Sequence, residues 1–265
     1  MTPLIKIDNL YFKREDLNPT GSAKDRAIPF QIENLIKNSF NSAVISSTGN
    51  AAISASFYCE QANIPLTIFV SPKINPHKLS LIKGHIIKSL QPISDAIKFS
   101  KANHSYLLRQ STDPNSQIGY GQIAKEILEQ LPQITSLFIP VGSGTTLLGI
   151  AKILPDNIKI FAVQPASNPT ICSVFNPNYT SENDTITDAL SVKYLPLKKE
   201  IIKSIKNHGG SGIIVSNQAA INLLNFVAQF NASPESALSL AAYYQAQKDY
   251  QIGDYPVILL TGTKR

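Results

Sequence analysis

Residues 43–70 read AVISSTGNAAISASFYCEQANIPLTIFV, and the segment changes period twice. Ala43 to Ser46 is a short apolar run, Ala51 to Gln61 spaces its apolar side chains as a helix does, and Leu66 to Val70 returns to a β-branched and aromatic run. Strand, helix and strand in that order predict a βαβ unit, whose crossover lays the two strands parallel in one sheet. The alternation continues along the chain. Strands are expected near His85–Leu90, Tyr106–Arg109, Ser136–Val141, Lys159–Val163 and Val257–Leu260, and helices at Pro92–Ala102, Tyr120–Gln130, Thr145–Leu154, Gln218–Phe230 and Ser233–Lys248. The product is an α/β fold of doubly wound parallel sheets, in which ligands sit beyond the carboxyl ends of the strands.

The bulk composition removes several function classes. A chain of 265 residues with 43% apolar and 16% charged residues supports one large or two closely packed domains and is not composed like a disordered polymer. The net charge of +6 comes from dispersed lysines with no dense basic run and no interleaved aromatics, so no nucleic-acid partner is expected. Cys59 and Cys172 lie far apart with no Cys or His at metal-ligand spacing. Neither a disulfide framework nor a metal site is expected, and a reducing cytoplasm is the expected location. No stretch of about 18 apolar residues occurs, and MTPLIKIDNLYFKRED has no apolar core before its charges, so neither a membrane span nor a secretion signal is expected. Ser167–Thr187, crowded with Asn, Pro, Ser and Thr, is expected as a loop at the surface or over a site.

Three turns hold residues that packing alone would not choose. In NPTGSAKDR (18–26) small polar residues deliver Lys24 to the start of a helix. The positive end of a helix dipole disfavours a cation there, which suits an amine that must be neutral to attack an aldehyde. In SSTGNA (46–51) hydroxyls, a glycine and free backbone N–H groups at a helix start form an anion site fit for a carboxylate, or simply a helix cap. In VGSGTT (141–146) glycines let the backbone close around a phosphate, and the missing Lys after the last Gly argues against a nucleoside-triphosphate loop. An amine that condenses with an aldehyde, a carboxylate cradle and a phosphate cradle together describe a pyridoxal phosphate site for amino acids.

The chain resembles the fold-type-II pyridoxal-phosphate-dependent enzymes, the tryptophan synthase β-like superfamily. KREDLNPTGSAKDR (13–26) resembles their cofactor-lysine segment and SSTGNAAISASFYCEQANIP (46–65) their substrate-carboxylate loop with its helix. VGSGTTLLGI (141–150) resembles the phosphate loop, SPESALSLAAYY (233–244) the Glu-containing late helix, and LLTGTK (259–264) the terminal strand. The resemblance implies that Lys24 holds pyridoxal 5'-phosphate as a Schiff base, that Asn50 contacts the ring hydroxyl, and that Gly142, Ser143, Gly144, Thr145 and Thr146 hold the phosphate. It implies further that Thr261 meets the ring nitrogen and that Ser47, Thr48 and Asn50 hold the substrate carboxylate. A neutral hydroxyl at that nitrogen makes a weaker electron sink than a carboxylate would, which favours elimination and replacement over transamination.

Within the superfamily the sequence is most similar to threonine synthase, through FAVQPASNPTI (161–171), TITDALSV (185–192) and LLTGTK. That likeness implies conversion of O-phosphohomoserine to threonine and phosphate in amino-acid biosynthesis. The segment QSTDPNSQ (110–117) departs from the threonine synthase pattern, because no Arg follows Arg109 in it; Lys73, Lys78 and Arg109 are the basic groups that would have to hold the substrate's phosphate instead. DPNSQIGYGQIAKEILEQL (113–131) looks more like the ammonia-lyase and cysteine-synthase branches. A serine/threonine ammonia-lyase or a cysteine synthase is therefore the alternative, and an inactive, cofactor-binding regulatory protein the second. The expected organisation is a larger cofactor domain of residues 1–37 and 120–265 and a smaller substrate-side domain of residues 38–119, with the cofactor in the cleft between them. The expected partners are a small amino-acid substrate and, in a homodimer, a second copy of the chain.

Overall fold

The computed structural model describes residues 1–187, 190, 192 and 195–265. The chain opens with a hairpin that its short strands and nearby charges concealed: β1 (Leu4–Ile7) and β2 (Leu10–Arg14) pair antiparallel. They turn at Asp8, whose φ of 52° lies in the left-handed region that Asp tolerates. There follow α1 (Lys24–Lys37), β3 (Ala43–Ser46), α2 (Asn50–Gln61), β4 (Leu66–Val70), α3 (Pro76–Ser80), β5 (His85–Lys88), α4 (Pro92–Ala102) and β6 (Tyr106–Leu107). The remainder is α5 (Pro114–Gln130), β7 (Ser136–Pro140), α6 (Thr145–Ala151), β8 (Lys159–Pro165), α7 (Lys198–Asn207), β9 (Ser211–Val215), α8 (Asn217–Ile221), α9 (Leu224–Ala228), α10 (Pro234–Asp249) and β10 (Pro256–Leu260).

Two sheets result. One has six strands in the order β1-β2-β10-β7-β8-β9, all parallel except β1, and the other has four parallel strands in the order β5-β4-β3-β6. Each is covered on both faces, as near-continuous apolar strands require. Tyr120, Ile123, Ile127 and Leu147, from α5 and α6, pack on one face of the large sheet. Val227, Leu238 and Tyr243, from α9 and α10, pack on the other. On the small sheet Ile28, Ala52 and Ile53 cover one face and Ala96 and Phe99 the other. The position between residues 119 and 120, where the domains were expected to divide, falls inside α5.

Several boundaries differ from those expected. The strand foreseen to Arg109 stops at Leu107, because the Arg109 N–H turns back to the Leu107 carbonyl at 2.8 Å. Helix α5 begins six residues before Tyr120: Pro114 occupies its first turn, and the Asp113 side chain accepts from the Asn115 N–H at 2.9 Å. The single helix foreseen over Gln218–Phe230 is two short ones, α8 and α9. Their break accompanies the packing of Phe226 and Phe230 against Phe12 as tilted ring pairs, with centroids 5.8 and 5.2 Å away. Cys172–Val174 forms a short 3-10 turn within the tract expected as loop. Of the TITDALSV motif, Asp188, Ala189 and Ser191 lie outside the described residues.

Candidate active site

Strand order locates the site. In the large sheet the chain runs from β7 outward through β8 and β9 and then returns to place β10 on the other side of β7. In the small sheet it runs from β3 through β4 to β5 and returns to place β6 on the other side of β3. At each reversal the turns beyond the strands' carboxyl ends part and leave a crevice, the usual ligand position in an open α/β sheet. The four turns concerned carry residues 46–50, 108–113, 141–145 and 261–263, and thus most of the residues singled out from sequence.

Lys24 is the first residue of α1, and its approach is pinned to the end of β10. The Ala23 N–H donates to the Thr261 carbonyl at 2.9 Å, Ser22 bridges Gly262, and the Thr263 N–H donates to the Gly21 carbonyl at 2.9 Å. Asp25 locks the same turn by accepting from the Thr20 N–H at 2.7 Å and the Thr20 hydroxyl at 2.5 Å. Burial raises the Asp25 carboxyl above its ordinary range, against the pull of the hydrogen bonds from Thr20. Lys24 and Thr261 are therefore neighbours through one short backbone bridge.

Asn50, the first residue of α2, faces the same place. Its Nδ2 lies 2.9 Å from where a side chain on Gly262 would begin, and its Oδ1 accepts from Arg265 Nη1 at 2.8 Å. Arg265 is held in turn by the Thr20 carbonyl. In the loop before α2, Ser47 Oγ accepts from the Gly49 N–H at 3.2 Å, Thr48 is exposed, and a Cβ on Gly49 would meet nothing within 4 Å. No packing constraint selects glycine there, which leaves an open approach to the backbone.

The turn at 141–146 is built differently. Gly144 has φ of 79°, and a Cβ on it would lie 2.1 Å from Ile201 Cδ1, so both its conformation and its packing demand glycine. Beyond Val141, the N–H groups of Gly142 through Leu147 find no acceptor among the described residues, and Ser143 and Thr145 bond only each other, at 3.1 Å. A row of orphaned donors with two hydroxyls, opening a helix, fits a phosphate.

Two residues not foreseen complete the arrangement. Lys24 Nζ donates to the Tyr120 hydroxyl at 3.1 Å, and Tyr120 donates to Gln110 Oε1 at 3.2 Å. Gln110 Nε2 is buried with no partner. Tyr120 carried no signal in sequence beyond its place on an apolar helix face. Lys73 is exposed and Arg109 half-buried, and among the described residues no hydrogen bond joins either side chain to Lys24, Asn50 or Thr261.

The sequence model described as "Pyridoxal-phosphate dependent enzyme" matches residues 1–262. The chain belongs to this pyridoxal-phosphate-dependent family. Its cofactor is accordingly pyridoxal 5'-phosphate, and the orphaned donors at 142–147 together with the amine of Lys24 suit that molecule's phosphate and aldehyde. L-threo-3-hydroxyaspartate ammonia-lyase of Saccharomyces cerevisiae is 27% identical over 96% of this chain and 82% of its own length. Cysteine synthase of Helicobacter pylori is 34% identical over 59% of this chain and 57% of its own, and human serine racemase 27% identical over 74% and 64%. Among solved structures, a pyridoxal 5'-phosphate-dependent aspartate racemase superposes with a TM-score of 0.88 at 19% identity, covering 100% of this chain and 90% of that one. Maize serine racemase gives 0.86 at 20% identity, covering 100% and 88%. These confirm two parallel-sheet domains of the fold-type-II kind.

Proposed function

We propose that this member of the family is a lyase that removes the β-hydroxyl of a small 2-amino-3-hydroxy acid such as serine, threonine or 3-hydroxyaspartate, with release of ammonia and a 2-oxo acid. The observation that carries the choice is the wall after β6. Residues 110–117 hold no cation, and their one charged group, Asp113, is engaged by Tyr106 at 2.6 Å and Gln31 at 2.8 Å. Such a wall suits a departing hydroxyl better than a dianionic phosphate, which needs charge-assisted donors worth roughly 1.5 to 3 kcal/mol each. The likeness to an ammonia-lyase over 96% of this chain and 82% of that one supports the same reading.

Each residue then has a task. Ser47, Thr48 and Asn50, with the free N–H groups of their turn, hold the substrate carboxylate; Gly142 to Thr146 hold the cofactor's phosphate. Pyridoxal phosphate, when bound, supplies the conjugated ring that receives the electrons of the broken Cα–H bond. Lys24 takes the α-proton on Nζ. Thr261 presents a neutral hydroxyl to the ring nitrogen, which keeps the chemistry on elimination. Asn50, its Oδ1 occupied by Arg265, has its N–H groups left for the ring's hydroxyl oxygen.

Conversion of O-phosphohomoserine to threonine is the second reading. It is supported by the threonine-synthase-like FAVQPASNPTI and LLTGTK motifs and by Arg109 and Lys73, whose side chains have no ion-pair partner among the described residues. One assay separates the two: cofactor-loaded protein is offered serine, threonine, 3-hydroxyaspartate and O-phosphohomoserine, and ammonia, 2-oxo acid and inorganic phosphate are measured. Ammonia and oxo acid from a hydroxy amino acid, unaffected by Arg109→Ala, support the lyase. Phosphate and threonine, with a KM raised at least tenfold by Arg109→Ala or Lys73→Ala, reverse the order of the two readings.

A further inference from the structure

Tyr120 is fully buried, with no exposed surface, between two helices brought unusually close. A Cβ on Gly119 would sit 2.0 Å from the Arg26 carbonyl oxygen of α1, and one on Gly149 would sit 2.6 Å from the Cβ of Tyr120 itself. Helices α1, α5 and α6 thus clamp the ring, and a phenylalanine would fill the space equally well. The hydroxyl is what packing does not explain. A buried hydroxyl requires partners, and Tyr120 has two: it accepts from Lys24 Nζ at 3.1 Å and donates to Gln110 Oε1 at 3.2 Å. Because the phenol's O–H is directed at Gln110 Oε1, the oxygen's lone pairs are turned toward the amine. The ammonium or amine head of Lys24 also lies 5.5 Å from the centre of the Tyr120 ring, a cation–π distance.

We propose that Tyr120 is a positioning residue that holds the Lys24 amine in register whenever that amine is not bound to the cofactor; this rests on the reading of Lys24 as the cofactor lysine. A lysine side chain freed by substrate has four rotatable carbons and would otherwise sample many positions, at a cost in rate set by the fraction of time it spends aligned. In the proton transfer the Cα–H bond breaks with its electron pair left on carbon, and an N–H bond forms at Nζ, which becomes an ammonium. One of its N–H bonds points to the Tyr120 oxygen. No proton passes to the phenol, whose own O–H stays directed at Gln110.

The test uses Tyr120→Phe and Gln110→Met. In the cofactor-free protein, acylation of Lys24 by a limiting amount of acetic anhydride, read by peptide mass against the exposed Lys264, should accelerate at least threefold in both variants, because the amine loses its acceptor or that acceptor loses its alignment. In loaded protein, borohydride should still fix the cofactor on Lys24, KM should stay within twofold, and kcat and the washout of α-deuterium from substrate should fall together by ten- to a hundredfold. An unchanged Lys24 acylation rate in folded variants overturns the proposal, as does a kcat within twofold of the parent. Borohydride labelling of another lysine in the parent protein would instead defeat the assignment of Lys24, and the acylation arm would still decide whether the phenol holds that amine.

Discussion

Single residues at this site differ in what their substitution should reveal. Lys24→Ala should abolish borohydride-stable cofactor incorporation altogether, and absorbance with peptide mapping checks it; incorporation at Lys13 or Lys264 would refute the assignment. Gly144→Asp, attractive from sequence as a probe of the phosphate cradle, is a poor one. The left-handed backbone and the contact with Ile201 mean that any side chain strains the turn before charge can act. Ser143 is half-buried with no such constraint. Ser143→Asp should keep the thermal midpoint within a few degrees while weakening cofactor affinity by about one to two decades through like-charge repulsion; an affinity equal to the parent's would show that the turn does not meet the phosphate. The cysteines make a control. Burial pushes the Cys59 thiol up to about 12 and raises Cys172 as well, so neither should react with a thiol reagent at neutral pH until the protein unfolds. Stoichiometric labelling of the native protein would contradict that.

Among elements, the hairpin and two helices share one buried ionic network. Lys13 of β2 bonds Glu126 of α5 at 2.6 Å; Arg26 of α1 bonds Glu126 at 2.5 Å and Glu15 at 2.7 Å. Desolvation works against the Glu126 carboxylate, but the hydrogen bonds from Arg26 and Lys13 outweigh it and hold the group down to about 2. Lys13, wholly buried, is lowered because desolvation outweighs the hydrogen bond it donates to Glu126, whereas Arg26 is held firmly in its charged form. A carboxylate so depressed in the folded protein adds stability that is complete above the ordinary value of 4.5 and drains away as pH falls toward 2. Glu126→Gln should therefore cost roughly 3 to 5 kcal/mol near neutrality, since it takes from buried Lys13 the carboxylate it bonds and leaves Arg26 with Glu15 alone, and its deficit relative to the parent should shrink between pH 4.5 and pH 2. Denaturant melts across that range check it, and a deficit independent of pH would sink the attribution. None of this network was legible in the sequence. Lys13, Glu15 and Arg26 all stand in the motif that resembles the cofactor segment, but Glu126 is 100 residues beyond Arg26 and only the folded chain joins them. The strands missed were those with least to show: β1 and β2 are short and flanked by charge, and β9 follows two glycines. The βαβ units were legible because burial on both faces writes long apolar runs into the sequence. Turns 46–50 and 141–146 could be read as anion sites for the related reason that helix starts expose donors. Tyr120 and Gln110 could not, since a polar group engaged by another far along the chain leaves no local period.

For the molecule as a whole, the order of the strands matters as much as their number. The small sheet is contiguous in the chain, from Ala43 to Leu107, whereas β10, after residue 255, is inserted between β2 and β7. A ribosome that has delivered the first half of this protein has therefore released everything the small sheet needs, yet of the large sheet only the β1–β2 hairpin exists, and even after β7, β8 and β9 follow, a gap remains beside β2 until β10 arrives. The bridge from Thr261 and Thr263 back to Gly21–Ala23 closes only when that gap is filled. Until then the turn before Lys24 lacks the strand end to which it is pinned, so a nascent chain should acquire a protease-resistant middle well before it can capture its cofactor, and stalled chains of increasing length, probed with pyridoxal phosphate and borohydride, should switch on labelling abruptly once β10 has cleared the exit tunnel.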